Sequence, residues 1–335
     1  MSSPVPSVPR LIMAPLLALA FTAPANADVA EVVDSHILPA LTDFADATEQ
    51  LDSAAQADCT AKALRPAYHT AFDAWGPLAD LRLGPSENGA LSVVFWPDAR
   101  GFTPKALRQI LGSDDAGMLT PEAFSDASIA ARGLMALDMM LYDPAFADYG
   151  PQDRACALVQ AISADLARQA VALETGWDAF APKLRAPGGD GNAQFQDASE
   201  ALRAIYTQIT ASLEFTADTR LGGPLGTFDR PRPRRAEAWR SQRSLPNVLN
   251  VARAAHAMAQ ALADHPLPET DEALEAVERA GAAIADPSFQ NITDLQARLK
   301  VEVLQQAVRA LKLSITTEVG AELGISAGFN AQDGD

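Results

Sequence analysis

The sequence has almost no cysteine, with Cys59 and Cys156 the whole complement in 335 residues. That excludes a cysteine-rich metal or disulfide scaffold and leaves room for one bridge at most. Aromatics are scarce at 6% while hydrophobic residues make up 48%. Alanine fills many of the apolar positions, and it is the best helix former. Sustained period-two alternation is missing, as is any fixed-length repeat, which argues against a β-sandwich or a repeat array. Nucleophile elbow, phosphate loop and His-Glu-x-x-His signatures are also missing. The four histidines, His36, His69, His256 and His265, stand far apart. Positive charge is short as well, 26 Lys and Arg against 43 Asp and Glu for a net of −17. Such a chain repels nucleic acid and anionic surfaces over most of its area.

What is present begins with an export signal. Arg10 precedes the apolar run Leu11–Phe21, and Ala25-Asn26-Ala27 gives a small-x-small cleavage pattern before Asp28. The run is short for a bilayer span, so residues 1–27 read as a secretory signal and the mature chain as periplasmic; the alternative is a retained anchor. No later segment reads as transmembrane. In an oxidising compartment Cys59 and Cys156 pair, unless they are two buried free thiols.

Helical spacing dominates the remainder. Val33, Ile37, Leu41, Phe44, Ala47 and Leu51 align on one helix, and Leu64, Tyr68, Ala71 and Trp75 on a second over Thr60–Trp75, where Pro66 is either a kink or the first turn. Gly76–Pro104 breaks the rhythm and contains Arg82, Asp98 and Arg100; so long a loop is either functional or packed over a bundle end. Further helices are expected at Lys105–Leu111, Ser125–Tyr142, Pro151–Leu173, Trp177–Leu184, Phe195–Thr216, Ala236–Asp264 with an interruption at Pro246, Asp271–Ala285 and Asp294–Val319, with an irregular stretch at Leu221–Pro233. The expected fold is all-α: two antiparallel helical bundles, 28–186 and 194–335, joined by the Gly/Pro/Asp-rich linker 187–193, with a functional site between them.

Two features carry chemistry. Asp138 lies inside the apolar stripe of Leu134, Leu137 and Leu141, where a carboxylate is costly unless it is paired. It is either a structural anchor or part of a site. Glu237, Ser241 and Ser244 follow at i, i+4 and i+7, a one-face spacing on a helix, among Arg230, Arg232, Arg234, Arg235, Arg240 and Arg243. Those arginines bind an oxyanion ligand or pair with the acidic remainder of the chain.

These residues also resemble a family. Ala74-Trp75, Gly84-Pro85, Phe95-Trp96-Pro97-Asp98, Gly133–Asp138, Leu221-Gly222, Pro224-Leu225-Gly226, the Glu237/Ser241/Ser244 triplet and Gly328-Phe329-Asn330 with Asp333-Gly334-Asp335 are similar in order and spacing to the imelysin-like proteins. The resemblance implies an exported all-helical protein with its site between two domains, an association with bacterial iron uptake, and a described peptidase activity. The family's Gly-x-His-x-x-Glu signature falls on Gly133, Met135 and Asp138, so methionine replaces the histidine and aspartate the glutamate. Methionine cannot act as a general base, and its thioether suits soft ions. The expected site is therefore a binding site of Gly133, Asp138, Arg82, Asp98, Arg100, Glu237, Ser241 and Ser244, with Asp138 and Glu237 as the metal-facing carboxylates and iron or another divalent metal as the implied ion. A metallopeptidase and a scaffold without a small ligand are the alternatives, and the partner is an envelope protein or small ligand rather than nucleic acid.

Overall fold

The computed structural model describes residues 28–263 and 265–321. The signal sequence expected at 1–27 and the Gly328-Phe329-Asn330 and Asp333-Gly334-Asp335 motifs lie outside the described residues. The protein is helical, and among the described residues the only β feature is an isolated bridge between Thr227 and Arg230. The helices are α1 (Val29–Val32), α2 (Leu38–Ala57), α3 (Ala61–Trp75), α4 (Ser86–Val93), α5 (Phe102–Leu111), α6 (Pro121–Ser125) and α7 (Gly133–Tyr142). They continue with α8 (Arg154–Arg185), α9 (Ala198–Phe215), α10 (Gly222–Leu225), α11 (Ser244–Leu262), α12 (Pro268–Ala282) and α13 (Leu295–Ile315), with π-helical turns at Val33–Ile37, Thr216–Leu221 and Thr316–Gly320.

Where periodicity was strong, helices form as expected. α2 buries Leu41, Phe44, Ala47 and Leu51 against α3 and α8. Pro66 sits inside α3 and neither ends it nor begins it. The stretches expected as separate helices at Pro151–Leu173 and Trp177–Leu184 are one 32-residue helix, α8. Three expectations need correction. The supposed irregular stretch Gly76–Pro104 contains α4, whose Ser86 Oγ accepts a hydrogen bond from Trp177 Nε1 at 2.8 Å. The helix expected from Ser125 begins only at Gly133, because that residue has φ +70° and the chain cannot run helically through it. The helix expected from Ala236 begins at Ser244. The residues before it form tight turns in which Ala238 and Gln242 take positive φ, so Pro246 lies in a first turn, where proline is tolerated.

Packing falls into two sets. In the first, α2 lies on α3 and α8, and α7 on α8 and α3; in the second, α12 lies on α13 and α11 on α9 and α12. Between the sets, α11 also packs on α1 and on the Gly76–Leu78 turn, and the buried residues form one continuous apolar core. Residues 187–193 lie in the loop between α8 and α9, where the Gly188 amide donates to Phe195 O at 2.8 Å. Among the described residues α8 alone is long and apolar enough to cross a membrane, and its Leu158, Val159, Ile162 and Leu166 are buried in the core.

Cys59, just before α3, is bonded to Cys156 in the first turn of α8, across a sequence separation of 97. A bridge closing so long a loop restricts the unfolded chain strongly. Reduction should lower stability by about 2–4 kcal/mol, measurable as a lower urea midpoint in the presence of reductant; an unchanged midpoint would refute this.

Candidate functional site

Asp138 is fully buried on α7 and faces the turn that precedes α11. Its Oδ1 accepts from the Ser241 hydroxyl at 2.6 Å and from the Ser241 amide at 3.2 Å. The second oxygen, Oδ2, is buried and accepts no hydrogen bond from the protein. Arg240 Nη1 lies 3.8 Å from it, while Arg240 Nε donates to Asp143 at 2.6 Å and its guanidinium stacks over Trp239. Tyr68, also buried, places its hydroxyl 3.4 Å from Ser241 Oγ. Positive φ at Ala238 and Gln242 tightens the turn and aims the Ser241 amide and hydroxyl together at the carboxylate.

Burial is the largest influence on Asp138, raising its pKa to about 6 against the opposing effects of the Ser241 hydroxyl, Arg240, the Ser241 amide and the nearby Tyr68 hydroxyl. The same desolvation, reinforced by the charge on Asp138, holds the Tyr68 phenol well above its ordinary value. A pKa raised in the folded protein means that folding takes up a proton between the unfolded value of 3.8 and about 6. The stability contribution of Asp138 is thus fully present below about pH 4 and lost as pH rises through 6, a change on the order of 3 kcal/mol. Asp138→Asn, which keeps an acceptor for Ser241, should abolish this slope. Stability of wild type relative to that variant should fall between pH 4 and 7 in urea titrations; parallel curves would disprove it.

Beside this pair a second chain of polar groups runs across the same junction. Tyr142, at the end of α7, bonds to His69 Nε2 at 2.8 Å, and Arg243 Nη1 approaches His69 Nδ1 at 3.4 Å. Arginine only donates, so Nδ1 accepts and a neutral His69 carries its proton on Nε2. Desolvation and then the nearby Arg243 lower the His69 pKa, which favours that neutral form. Arg243 also pairs with Asp73 and donates from Nε to Asn247 Oδ1 at 3.1 Å. Asn247 Nδ2 in turn donates to Glu237 Oε2 at 3.1 Å, and Arg220 Nε donates to the same oxygen at 3.0 Å. Arg220 is buried and completes a fork onto Asp80 at 2.6 and 3.0 Å. Desolvation opposes its charge, but the two carboxylates outweigh this and raise its pKa further.

The structure brings Asp138 and Ser241 into contact, whereas the Glu237 carboxylate bonds to Asn247 and Arg220 in the separate chain that runs through Arg243 to His69. Ser244 donates to the Glu237 carbonyl at 2.7 Å and so shapes the turn. Arg82 donates to the carbonyls of Ala79 and Leu81; desolvation lowers its pKa despite Asp80, and Arg220 lowers it further. Asp98 accepts from the amides of Phe102 and Thr103 and caps α5, while Arg100 is exposed. Gly133 packs against backbone, since a Cβ there would lie 2.1 Å from Val93 O. Tyr68, His69, Tyr142 and Arg220 were not among the residues expected at the site. Arg220 lies in the π-helical turn Thr216–Leu221 beyond α9, past the helix expected to end at Thr216, so no α-helical spacing marked it.

Metal coordination fits this donor set poorly. No group of three or more His, Cys, Asp or Glu side chains is placed to hold an ion among the described residues. Arg220 and Asn247 occupy Glu237 Oε2, and Arg240 stands against Asp138. A guanidinium beside each carboxylate raises the electrostatic cost of a bare cation there. What the arrangement offers is a buried carboxylate with one oxygen outside hydrogen-bond distance of any donor, the Ser241 and Tyr68 hydroxyls beside it, and Arg240 3.8 Å away.

The imelysin family model matches residues 37–315. Among solved structures, an imelysin-like protein from Psychrobacter arcticum 273-4 shares the fold with a TM-score of 0.71 at 18% identity, covering 90% of this chain and 96% of the other. A candidate iron-regulated protein A precursor from Parabacteroides distasonis ATCC 8503 gives a TM-score of 0.67 at 16% identity, over 87% of this chain and 93% of the other. No curated protein matches the sequence.

Proposed function

Because this chain belongs to the imelysin family, we propose that it is an exported, non-catalytic binding component of iron acquisition that holds its ligand at Asp138. The observation that carries the reading is Asp138 Oδ2, a buried carboxylate oxygen with no hydrogen bond from the protein. A buried acceptor of this kind takes a donor from solvent or from a ligand. Arg240, 21% exposed and held by Asp143, covers it and must shift as a ligand enters. With arginines beside both carboxylates, the iron would arrive as an anionic chelate that donates to Asp138 and accepts from Arg240.

The other motif position supports binding over peptidase chemistry. Met135 stands where the family signature has histidine, and it can neither ligate a zinc-like ion well nor accept a proton. The likeness to a candidate iron-regulated precursor supports the link to iron and export.

Calorimetric titration with ferric citrate tests this. Binding should weaken about tenfold or more in Asp138→Asn, with ferrous ion alone giving no heat. Unchanged affinity in both Asp138→Asn and Glu237→Gln would rule the site out. A second reading rests on the two Ser241 hydrogen bonds, which tie α7 to the turn before α11: Asp138 is then purely a structural anchor. In that case Asp138→Asn alters the pH slope of stability and the wild type binds no chelate.

A further inference from the structure

α13 is apolar on two opposite sides. Val301, Leu304, Val308, Leu311 and Ile315 are buried in the protein's own core. On the opposite side Leu299, Val303, Gln306, Ala310 and Leu313 are all exposed, the three large aliphatics by 53%, 51% and 66%. At 100° per residue these five fall within about 80° of one another. Their spacing alternates four and three, which is the repeat of a coiled-coil seam. Scattered surface leucines need no explanation. A heptad seam does, because its spacing matters only when another helix lies along it.

We propose that this face is a dimer interface, in which α13 pairs antiparallel with α13 of a second copy of the chain. Charge selects the occupant and the direction. Glu302 and Arg309 flank the same edge of the stripe; within the chain they pair with Arg298 and Asp218, and their side chains remain 40% and 47% exposed to a partner. Antiparallel pairing about the helix centre sets Glu302 against the partner's Arg309 twice over, as a two-fold axis requires. Parallel pairing would set this edge against the partner's opposite edge, so that Glu302 and Arg309 would not meet. Gln306, a polar residue within the seam, fixes the register at some cost in stability. A groove of about 540 Å³ between α13 and α10, lined in part by Leu225, Leu299 and Val303, leaves room beside the seam for the partner's side chains.

Sedimentation equilibrium of the purified protein should show a concentration-dependent dimer. Val303→Glu should raise the dimer dissociation constant at least about tenfold while the circular dichroism and thermal midpoint stay unchanged. Glu302→Arg and Arg309→Glu should each weaken association, and the two together should restore it. A protein that is monomeric up to about 100 µM, a dimer indifferent to Val303→Glu, or a charge swap without rescue would each overturn the proposal.

Discussion

Gly133→Ala should destabilise the protein by about 5 kcal/mol, combining about 1–2 for a left-handed non-glycine residue with 3 or more for an overpacked contact. The residue has φ +70°, and a Cβ would meet Val93 O at 2.1 Å and Ser92 O at 2.5 Å. Backbone oxygens cannot rotate away as a side chain would. Here both sides of the contact are anchored. Arg132, immediately before Gly133, forks onto Asp165 of α8 at 2.7 and 3.1 Å. α4 is held to the same helix by Ser92 Oγ donating to Gln169 at 2.6 Å and by Trp177 donating to Ser86. Relief must therefore move α7, which carries Asp138. The urea midpoint of Gly133→Ala should fall steeply, and any folded fraction should lose the pH slope due to Asp138. Gly223→Ala is the control, since no atom lies within 4 Å of a Cβ built there. Equal midpoints for the two variants would refute the argument.

Arg220→Met should cost about 4–5 kcal/mol, because removing one partner of a buried ion pair leaves an uncompensated charge. Two carboxylates are stranded here: Asp80 loses both prongs of its fork, and Glu237 keeps only Asn247 as a donor to Oε2. The loss should be smaller when Arg220→Met is combined with Asp80→Asn and Glu237→Gln, since neutral amides remove the stranded charges. Thermal unfolding of the single and triple variants checks this. A triple variant less stable than Arg220→Met alone would show that the cost lies in packing, over Phe215 for instance, where the guanidinium sits 5.0 Å from the ring centroid.

The two residues differ in how visible they are in sequence. Gly133 is a glycine at the head of an apolar run, and sequence marks it only through the family signature. The expected helix through Ser125–Tyr142 ignored it, because helical periodicity does not register one residue's φ. Arg220 lies in a π-helical turn beyond α9, where the 100° stripe of an α-helix no longer applies, so its burial is not readable from spacing. Its partners, Asp80 and Glu237, come from segments that no spacing rule connects.

The Glu237/Ser241/Ser244 triplet shows the same boundary from another side. The i, i+4, i+7 spacing suits one helical face, yet the segment turns at Ala238 and Gln242 and α11 starts at Ser244. A helix through this segment would separate the Ser241 amide from its role as a donor, since that amide would bond within the helix. The turn frees amide and hydroxyl together for Asp138. Long-range contact between α7 and this turn outweighs the local preference, as tertiary context commonly does for propensity.

The sequence by itself determined the helical class, the placement of most helices, that any bridge joins Cys59 to Cys156, and the presence of a carboxylate where the core is apolar. Each of these follows from periodicity, composition or count, which are properties of neighbouring residues. Only the tertiary structure decided that Asp138 meets Ser241 and Ser241 meets Tyr68, that Glu237 is held by Arg220 and Asn247, and that Asp138 Oδ2 is buried without a hydrogen bond. Those outcomes depend on which segments the core brings together from a hundred or so residues apart, as with Asp138 and Ser241 at a separation of 103. No local pattern encodes such a meeting, because burial rewards the contact without fixing in the sequence which polar groups will share it.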